Sequence, residues 1–146
     1  PDVAIIHVQR ADINGNAHLW GIVGEQKEAA FAAKKVILTT EEIVDEEIIR
    51  SDPNRTLIPG FIVDAVCHVP KACHPSYAQG YYDRDNAFYM GWDKVSKSVE
   101  SVQAWLDEWV YGTKDHEEYW QKLGAEKHKN LEVEAQFSAP INYGKY

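Results

Sequence analysis

The first half of the chain carries short, nearly continuous apolar runs instead of the spaced apolar positions of an amphipathic helix. Residues 3–8, 36–40 and 61–69 form such runs. Runs of this length are typical of strands that are buried on both faces of a parallel sheet. Residues 25–35, between the first two runs, are rich in helix formers. This order predicts an α/β fold with a mostly parallel sheet flanked by helices.

Two shorter features fit between these elements. Asn14-Gly15 tolerates the positive φ angles of a tight turn, so a short returning strand over residues 17–20 is expected. Asp45 can cap a short helix over residues 46–50. Pro59-Gly60 predicts a further turn before the last strand.

The pattern changes to a helical period in the tail. Apolar residues on one helical face are Val95, Val99, Val102, Trp105, Leu106, Trp109 and Val110. We expect Asp93 to start this helix, and Asp115 and Gly124 to bound the next one. Helically spaced Trp is more typical of core or subunit contact than of a cofactor site. Residues 137–146 are expected to be irregular. We therefore expect an α/β part over residues 1–92 and a helical extension over residues 93–146.

The stretch 74–83, His-Pro-Ser-Tyr-Ala-Gln-Gly-Tyr-Tyr-Asp, is called the tyrosine loop here. Gly and Pro fix a chain path, and tyrosines offer flat contact area with a hydroxyl group. A loop that follows the last strand lies where α/β proteins place ligand contacts. Its polar residues Ser76, Tyr77 and Gln79 are candidate binding residues. The alternative is a loop that only caps the core.

A second candidate position is the start of the helix after Gly21 and Gly24. Free N–H groups at a helix N-terminus favour anions, so a ligand could lie near Glu25 and Gln26. The alternative is that Glu25 binds no ligand and only interacts favourably with the positive end of the helix dipole.

Other ionisable residues are interpreted as structural. Glu41 and Glu42 resemble an acid pair, but neighbouring strand residues point to opposite faces, so ion-paired or solvated carboxylates are expected. His7 lies inside an apolar strand and is expected to be hydrogen-bonded in the core. Cys67 and Cys73 each precede a histidine, which suggests a metal site, but Cys67 lies in an apolar run, where we expect a buried thiol. We expect reduced, metal-free cysteines, and we assign no catalytic or metal-binding residue.

Composition excludes two classes of partner. The net charge is −8, from 15 basic and 23 acidic residues, which argues against nucleic-acid binding and against an anionic membrane surface. No apolar run approaches the ~18 residues of a membrane span.

Four motifs in order resemble the α subunit of the family I CoA-transferases. They are residues 2–12 (DVAIIHVQRAD) with the turn 14–16, the alanine-rich 29–33, 36–44 (VILTTEEIV) and 58–64 (IPGFIVD). The tyrosine loop is similar to the glutaconate CoA-transferase branch. The Gly-Gly-Phe segment typical of the family is not found, and we expect this chain to be the C-terminal part of a longer subunit.

The resemblance implies transfer of CoA between carboxylic acids, with a CoA thioester as substrate and no permanently bound cofactor. A glutamate of a homologous β subunit would carry CoA as a glutamyl thioester. Ser76, Tyr77 and Gln79 would then line the acyl-CoA pocket, with Glu25 and Gln26 near its mouth. The resemblance also implies a cytoplasmic location. The alternatives are a ring-opening hydrolase of CoA-linked compounds from the same family, a non-catalytic assembly subunit, and a sugar-phosphate isomerase or sensor domain.

Overall fold

A computed structural model describes residues 1–133. The chain divides into two compact units, which we call the sheet unit, Pro1–Cys73, and the helical unit, which begins at His74. The expected α/β architecture with a helical C-terminal part is confirmed. The predicted roles of residues 1–92 and 93–146 as parts of one larger domain stay a prediction.

The sheet unit is built on a five-stranded sheet. Its strands are β1 (Val3–Ala11), β2 (Ala17–His18), β3 (Lys35–Ile43), β4 (Thr56–Ile58) and β5 (Ala65–His68). Their order across the sheet is β4-β2-β1-β3-β5. The long pair β1–β3 and the pair β3–β5 are parallel, whereas the short β2 lies antiparallel to both β1 and β4. The sheet is therefore mixed, with its parallel pairing concentrated in the longest strands.

The apolar core lies on one face of this sheet. Ala4, Ile6 and Val8 of β1 are buried there with Val36 and Leu38 of β3. The helices of the unit are α1 (Gln26–Ala32) and α2 (Glu46–Ser51), with 3-10 turns at Pro53–Arg55 and Gly60–Ile62. Ala30 of α1 is buried in the same cluster.

The expectation that the first strand is buried on both faces is wrong. Val3 and Ile5 alternate with the core residues of β1 and remain 49% and 69% exposed. Side chains alternate across a strand, so a continuous apolar run does not by itself reveal whether the second face is covered.

The predicted turn at Asn14-Gly15 is confirmed. Gly15 has a φ of 85°. The buried Asp12 carboxylate accepts the backbone N–H groups of Asn14 and Asn16, each at 2.9 Å. The Asn16 side chain then accepts the N–H of Gly60 at 2.9 Å, which ties the turn to the chain before β5.

The predicted strand over residues 61–69 is wrong at its start. Residues 60–62 form a 3-10 turn, and β5 begins only at Ala65. Gly60 lies so close to the Asn14 carbonyl that a Cβ at this position would meet its oxygen at 2.1 Å. Only glycine fits at this position without a shift of the neighbouring backbone.

Four helices follow in the helical unit. They are α3 (Asn86–Val95), α4 (Val99–Trp109), α5 (His116–Leu123) and α6 (Ala125–Asn130). The expectation of one helix starting at Asp93 is wrong. Asp85 caps α3 through the N–H of Phe88, and α4 is a separate helix that Ser98 caps. The bounds of α5 at Asp115 and Gly124 are confirmed. The expectation for residues 137–146 lies outside the described residues.

Over residues 1–133, the helices are too short and too polar for any of them to traverse a bilayer.

Candidate substrate-binding site

The tyrosine loop is closed by backbone hydrogen bonds at its base. Ala78 and Tyr82 exchange N–H···O bonds of 3.2 and 3.1 Å. The N–H of Asp83 donates to the carbonyl of Leu131 at 2.8 Å, and the N–H of Asp85 donates to that of Pro75 at 3.0 Å. The loop is therefore held at both ends within the helical unit.

His74 begins the loop, and both of its ring nitrogens are hydrogen-bonded. Nε2 lies 3.2 Å from Oδ2 of Asp85, and Nδ1 lies 2.6 Å from the hydroxyl oxygen of Tyr119. A carboxylate only accepts hydrogen bonds, so Nε2 carries the proton and Nδ1 accepts from the Tyr119 hydroxyl. The His74 side chain has no exposed surface.

Asp85 joins this histidine to two helices. One oxygen caps α3 by accepting the N–H of Phe88 at 3.0 Å, and both oxygens lie 2.9 Å from Nζ of Lys127 on α6. Lys127, Asp85, His74 and Tyr119 thus form a continuous chain of polar contacts, which we call the His74 network.

Burial and charge set the protonation states of the network. Burial lowers the pKa of His74, and the bond to Asp85 opposes this only in part. Burial alone would raise the pKa of Asp85. The hydrogen bonds that Asp85 accepts from Lys127, Phe88 and His74 outweigh this effect and lower its pKa. Burial and the Asp85 charge raise the pKa of Tyr119 to about 12. The network therefore holds a neutral histidine, a neutral tyrosine and a carboxylate at neutral pH.

Aromatic rings surround the buried imidazole. The rings of Phe88, Tyr119 and Trp120 meet His74 edge to face at centroid distances of 5.1, 5.8 and 5.7 Å. Trp105 and Trp109 in turn pack against Phe88. These edge-to-face contacts are the preferred geometry of aromatic pairs. They support a core role for Trp105 and Trp109, which is one of the two roles expected for the helically spaced Trp residues.

The three loop residues assigned to the site, Ser76, Tyr77 and Gln79, are half-buried. Among residues 1–133, no hydrogen-bond partner reaches the buried Oε1 of Gln79. A buried acceptor without a partner costs about 1–3 kcal/mol, which a ligand N–H could recover. Binding by these residues stays a prediction.

The other two assigned residues lie in the sheet unit. Helix α1 begins at Gln26, with an exposed Glu25 preceding it. Gln26 is half-buried, and its buried Oε1 has no hydrogen-bond partner within the described part of the chain. A cavity of about 260 Å³ in this unit is lined by other residues, Asp12 and Asn16 among them. The role of Glu25 and Gln26 also stays a prediction.

The expected hydrogen bonding of His7 and the expected ion pairing of Glu41 and Glu42 are observed. Nε2 of His7 donates to Glu41 at 2.7 Å, while Arg10 pairs with Glu42 at 3.0 Å. Both Glu41 oxygens accept the backbone N–H of Lys71, at 3.0 and 2.8 Å. Glu41 of β3 therefore connects the chain that leaves β5 to the middle of β1.

The cysteines are free, and Cys67 is exposed rather than buried as expected. Cys67 lies on β5, whose side chains are mostly exposed. In the range 1–133, no group of three or more His, Cys, Asp or Glu residues is placed to hold a metal ion.

Sequence reasoning missed the His74 network. Asp85 alone has a local signal, since it precedes a helix and can cap it. Tyr119 and Lys127 reach His74 and Asp85 from 45 and 42 residues away in the sequence. No spacing rule for local motifs covers contacts of that length.

Comparison with known proteins identifies the family. A match to the Coenzyme A transferase family covers residues 1–68. The A subunit of the 3-oxoadipate CoA-transferase of Pseudomonas knackmussii is 51% identical over 87% of this chain and 44% of its own length. The chain belongs to the coenzyme A transferase family. The A subunit of the glutaconate CoA-transferase of Acidaminococcus fermentans is 48% identical over 90% of this chain and 41% of its own length.

The fold agrees with this membership. The crystal structure of glutaconate CoA-transferase from Acidaminococcus fermentans matches with a TM-score of 0.84 and 48% identity, over 92% of this chain and 42% of that one. This CoA-transferase chain therefore spans less than half the length of the relatives it matches. The resemblance to the glutaconate branch is confirmed.

The hydrolase branch is more distant. The cholesterol ring-cleaving hydrolase IpdA subunit of Rhodococcus jostii is 27% identical over 78% of this CoA-transferase chain and 40% of its own length. The identity is about half of that to the two transferase subunits, so the sequence groups with the transferases.

Proposed function

We propose that this chain forms part of the α subunit of a heteromeric CoA-transferase, which moves CoA between carboxylic acids. The observation that carries the proposal is the likeness to glutaconate CoA-transferase, at 48% identity and a TM-score of 0.84 over 92% of the chain. The two transferase relatives are named for 3-oxoadipate and glutaconate, which are both dicarboxylic acids. A dicarboxylic acid is therefore the proposed acyl group.

The partner is a homologous β subunit that supplies the nucleophile. Both transferase relatives are named as the A subunit of their enzymes, which supports an enzyme of two kinds of subunit. The β-subunit glutamate would attack the thioester carbonyl and expel CoA thiolate, which then attacks the resulting anhydride to give a glutamyl-CoA thioester and the free acid. The acceptor carboxylate takes CoA by the reverse of these steps.

Exposed apolar side chains on the helical unit support such a partner. Met90 is 74% exposed, Tyr111 71% and Trp92 43%. Large exposed apolar groups of this kind are typical of surfaces that bury against another protein. The proposed interface buries either the region around Trp105, Trp109 and Trp120 or the tyrosine loop.

The contribution of this chain to catalysis is binding. Ser76, Tyr77 and Gln79 would line the acyl-CoA pocket, with Glu25 and Gln26 near its mouth. The pantetheine arm of CoA carries two amide N–H groups, either of which would suit the unpartnered Oε1 atom of Gln79 described above. CoA thus enters as a substrate, and no resident cofactor is proposed. A cytoplasmic location belongs to the same proposal, because acyl-CoA is a cytoplasmic substrate and both cysteines are free.

The test uses the full-length subunit co-expressed with its β partner. We expect transfer of CoA from an acyl-CoA to a dicarboxylate, and addition of CoA to the β subunit by mass when the acceptor is omitted. Intact mass that shows CoA on neither subunit, together with no transfer, would contradict the proposal. Cleavage of a carbon–carbon bond in a CoA-linked ring without any acceptor would support the hydrolase instead. A complex with neither activity would support the alternative of a non-catalytic assembly subunit.

The loop residues are tested in the same complex. Tyr77→Ala and Gln79→Ala should lower kcat/KM for acyl-CoA by about tenfold each, the order expected when a buried polar contact is lost. Gln103→Ala is the matched control, since Gln103 lies exposed on α4 and bonds only to the neighbouring Asp107 among the contacts described. Equal kinetics for Gln79→Ala and Gln103→Ala would leave the loop as a cap of the core.

A further inference from the structure

We propose that His74 is a positioning residue, whose neutral imidazole holds the tyrosine loop in the conformation that binds acyl-CoA. The inference rests on the proposed function, because it assigns a task to the same loop. It concerns residues outside the predicted binding set, and His74 itself touches no substrate.

The first argument is geometric. His74 is the first residue of the loop, and its side chain is fully buried between Asp85 and Tyr119. The N–H of Asp85 also donates to the Pro75 carbonyl, so side chain and backbone fix the same short segment. Ser76 and Tyr77 follow at once, and their placement depends on that fixed start.

The second argument is electrostatic. The titratable groups that face His74 are Asp85 at the start of α3, Tyr119 and His116 on α5, and Lys127 on α6. A proton on Nδ1 would replace the acceptor of the Tyr119 hydroxyl with a donor. The Lys127 charge opposes that protonation, whereas Asp85 favours it. Lys127 therefore favours the neutral imidazole, in which Nδ1 accepts from the Tyr119 hydroxyl.

The first experiment removes one hydroxyl group. Tyr119→Phe keeps the ring but leaves Nδ1 of His74 without its donor. If the loop is ordered in only a fraction of the enzyme molecules, the apparent affinity for acyl-CoA equals the intrinsic affinity multiplied by that fraction. We expect KM for acyl-CoA to rise about tenfold, as the loss of a buried hydrogen bond warrants, while kcat at saturation stays within about twofold. An unchanged KM in a folded complex would overturn the inference.

The second experiment shifts the charge without touching His74 or Tyr119. Lys127→Met should make His74 easier to protonate, so the rise in KM on the acid side should begin at higher pH. Lys129→Met on the same helix is the control, since Lys129 is exposed and should leave the pH profile in place. Equal profiles for the two variants would also overturn the inference.

A third measurement does not depend on activity. The N–H groups of Ala78, Tyr81 and Tyr82 are hydrogen-bonded inside the loop, and we expect their exchange with solvent to be about tenfold faster in Tyr119→Phe. If the unmodified complex transfers no CoA, the proposed function fails, and the exchange rates still decide whether His74 holds the loop. Unchanged exchange and KM in Tyr119→Phe, with normal transfer by the unmodified complex, would overturn the role of His74 alone.

Discussion

Replacing Asp85 by Asn should strongly destabilise the helical unit while preserving its helix cap. The carboxylate is 3% exposed and accepts from Phe88, His74 and Lys127. Asn is as good an N-cap as Asp, so the bond to the N–H of Phe88 can remain. The new NH₂ group cannot accept from Nε2 of His74, and the Lys127 ammonium loses its counter-charge.

The expected magnitude follows from these contacts. Removing one partner of a buried, hydrogen-bonded ion pair costs about 3–5 kcal/mol. Lys127 is 30% exposed, so water recovers part of this loss, and we expect about 2–4 kcal/mol for Asp85→Asn. Asp115→Asn is the matched control, because Asp115 caps α5 through Glu118 but is 47% exposed. Its cost should be below about 0.5 kcal/mol.

Hydrogen exchange of the α3 amides in the full-length complex measures this free energy locally. A loss of about 2–4 kcal/mol corresponds to exchange roughly 30-fold to 1000-fold faster in the variant. The control should stay within about threefold of the unmodified protein. The reasoning is refuted if Asp85→Asn exchanges at the unmodified rate, or if Asp115→Asn accelerates exchange as much as Asp85→Asn does.

Two further predictions concern pH and packing. Burial lowers the pKa of His74 in the folded protein. As the pH falls below about 6.5, the His74 side chain therefore binds a proton in the unfolded chain before it does so in the folded protein. The free energy of unfolding should fall between that pH and the lower pKa of the folded state. The slope is at most about 1.4 kcal/mol per pH unit, and urea midpoints that decline equally in His74→Gln would contradict this origin. Gly91→Ala on α3 should stabilise the protein by about 0.5–1 kcal/mol, because a Cβ there meets open space. Gly60→Ala should destabilise the protein, because its Cβ would lie only 2.1 Å from the Asn14 carbonyl oxygen. Thermal melting compares the two variants, and equal melting temperatures would contradict this prediction.

The elements that the sequence predicted well are those with a local cause. Strands β1 and β3 follow from apolar runs, and the end of α5 follows from Gly124, whose φ is 86°. The turn at Gly15 follows from the same backbone preference. Each of these signals lies within a few residues of its effect, so a single sequence contains it.

The elements that the sequence missed depend on distant contacts. The face of β1 that carries Ile5 cannot be known from an apolar run, because the run does not reveal what covers each face. A 3-10 turn stands where the strand was expected to start, and its Gly60 lies against Asn14, which is far away in the sequence. Hydrophobic periodicity detects neither effect.

The candidate site divides in the same way. Ser76, Tyr77 and Gln79 stood out through composition and through the resemblance to a family. The residues that hold their loop did not, because a buried His–Asp–Lys set is assembled by helices that are distant in sequence. Burial of His74 is visible only when α5 and α6 are in place.

Every buried carboxylate in the described part of the chain accepts several hydrogen bonds. Three acidic residues are buried among residues 1–133: Asp12, Glu41 and Asp85. Asp12 accepts hydrogen bonds from the side chain and the backbone N–H of Asn16. Glu41 accepts hydrogen bonds from His7 and Lys71. Asp85 accepts hydrogen bonds from His74, Lys127 and Phe88. Hydrogen bonds to a carboxylate stabilise its charge and occupy the lone pairs that attack on a thioester requires. These three carboxylates are therefore committed to a turn, to the sheet and to a loop anchor.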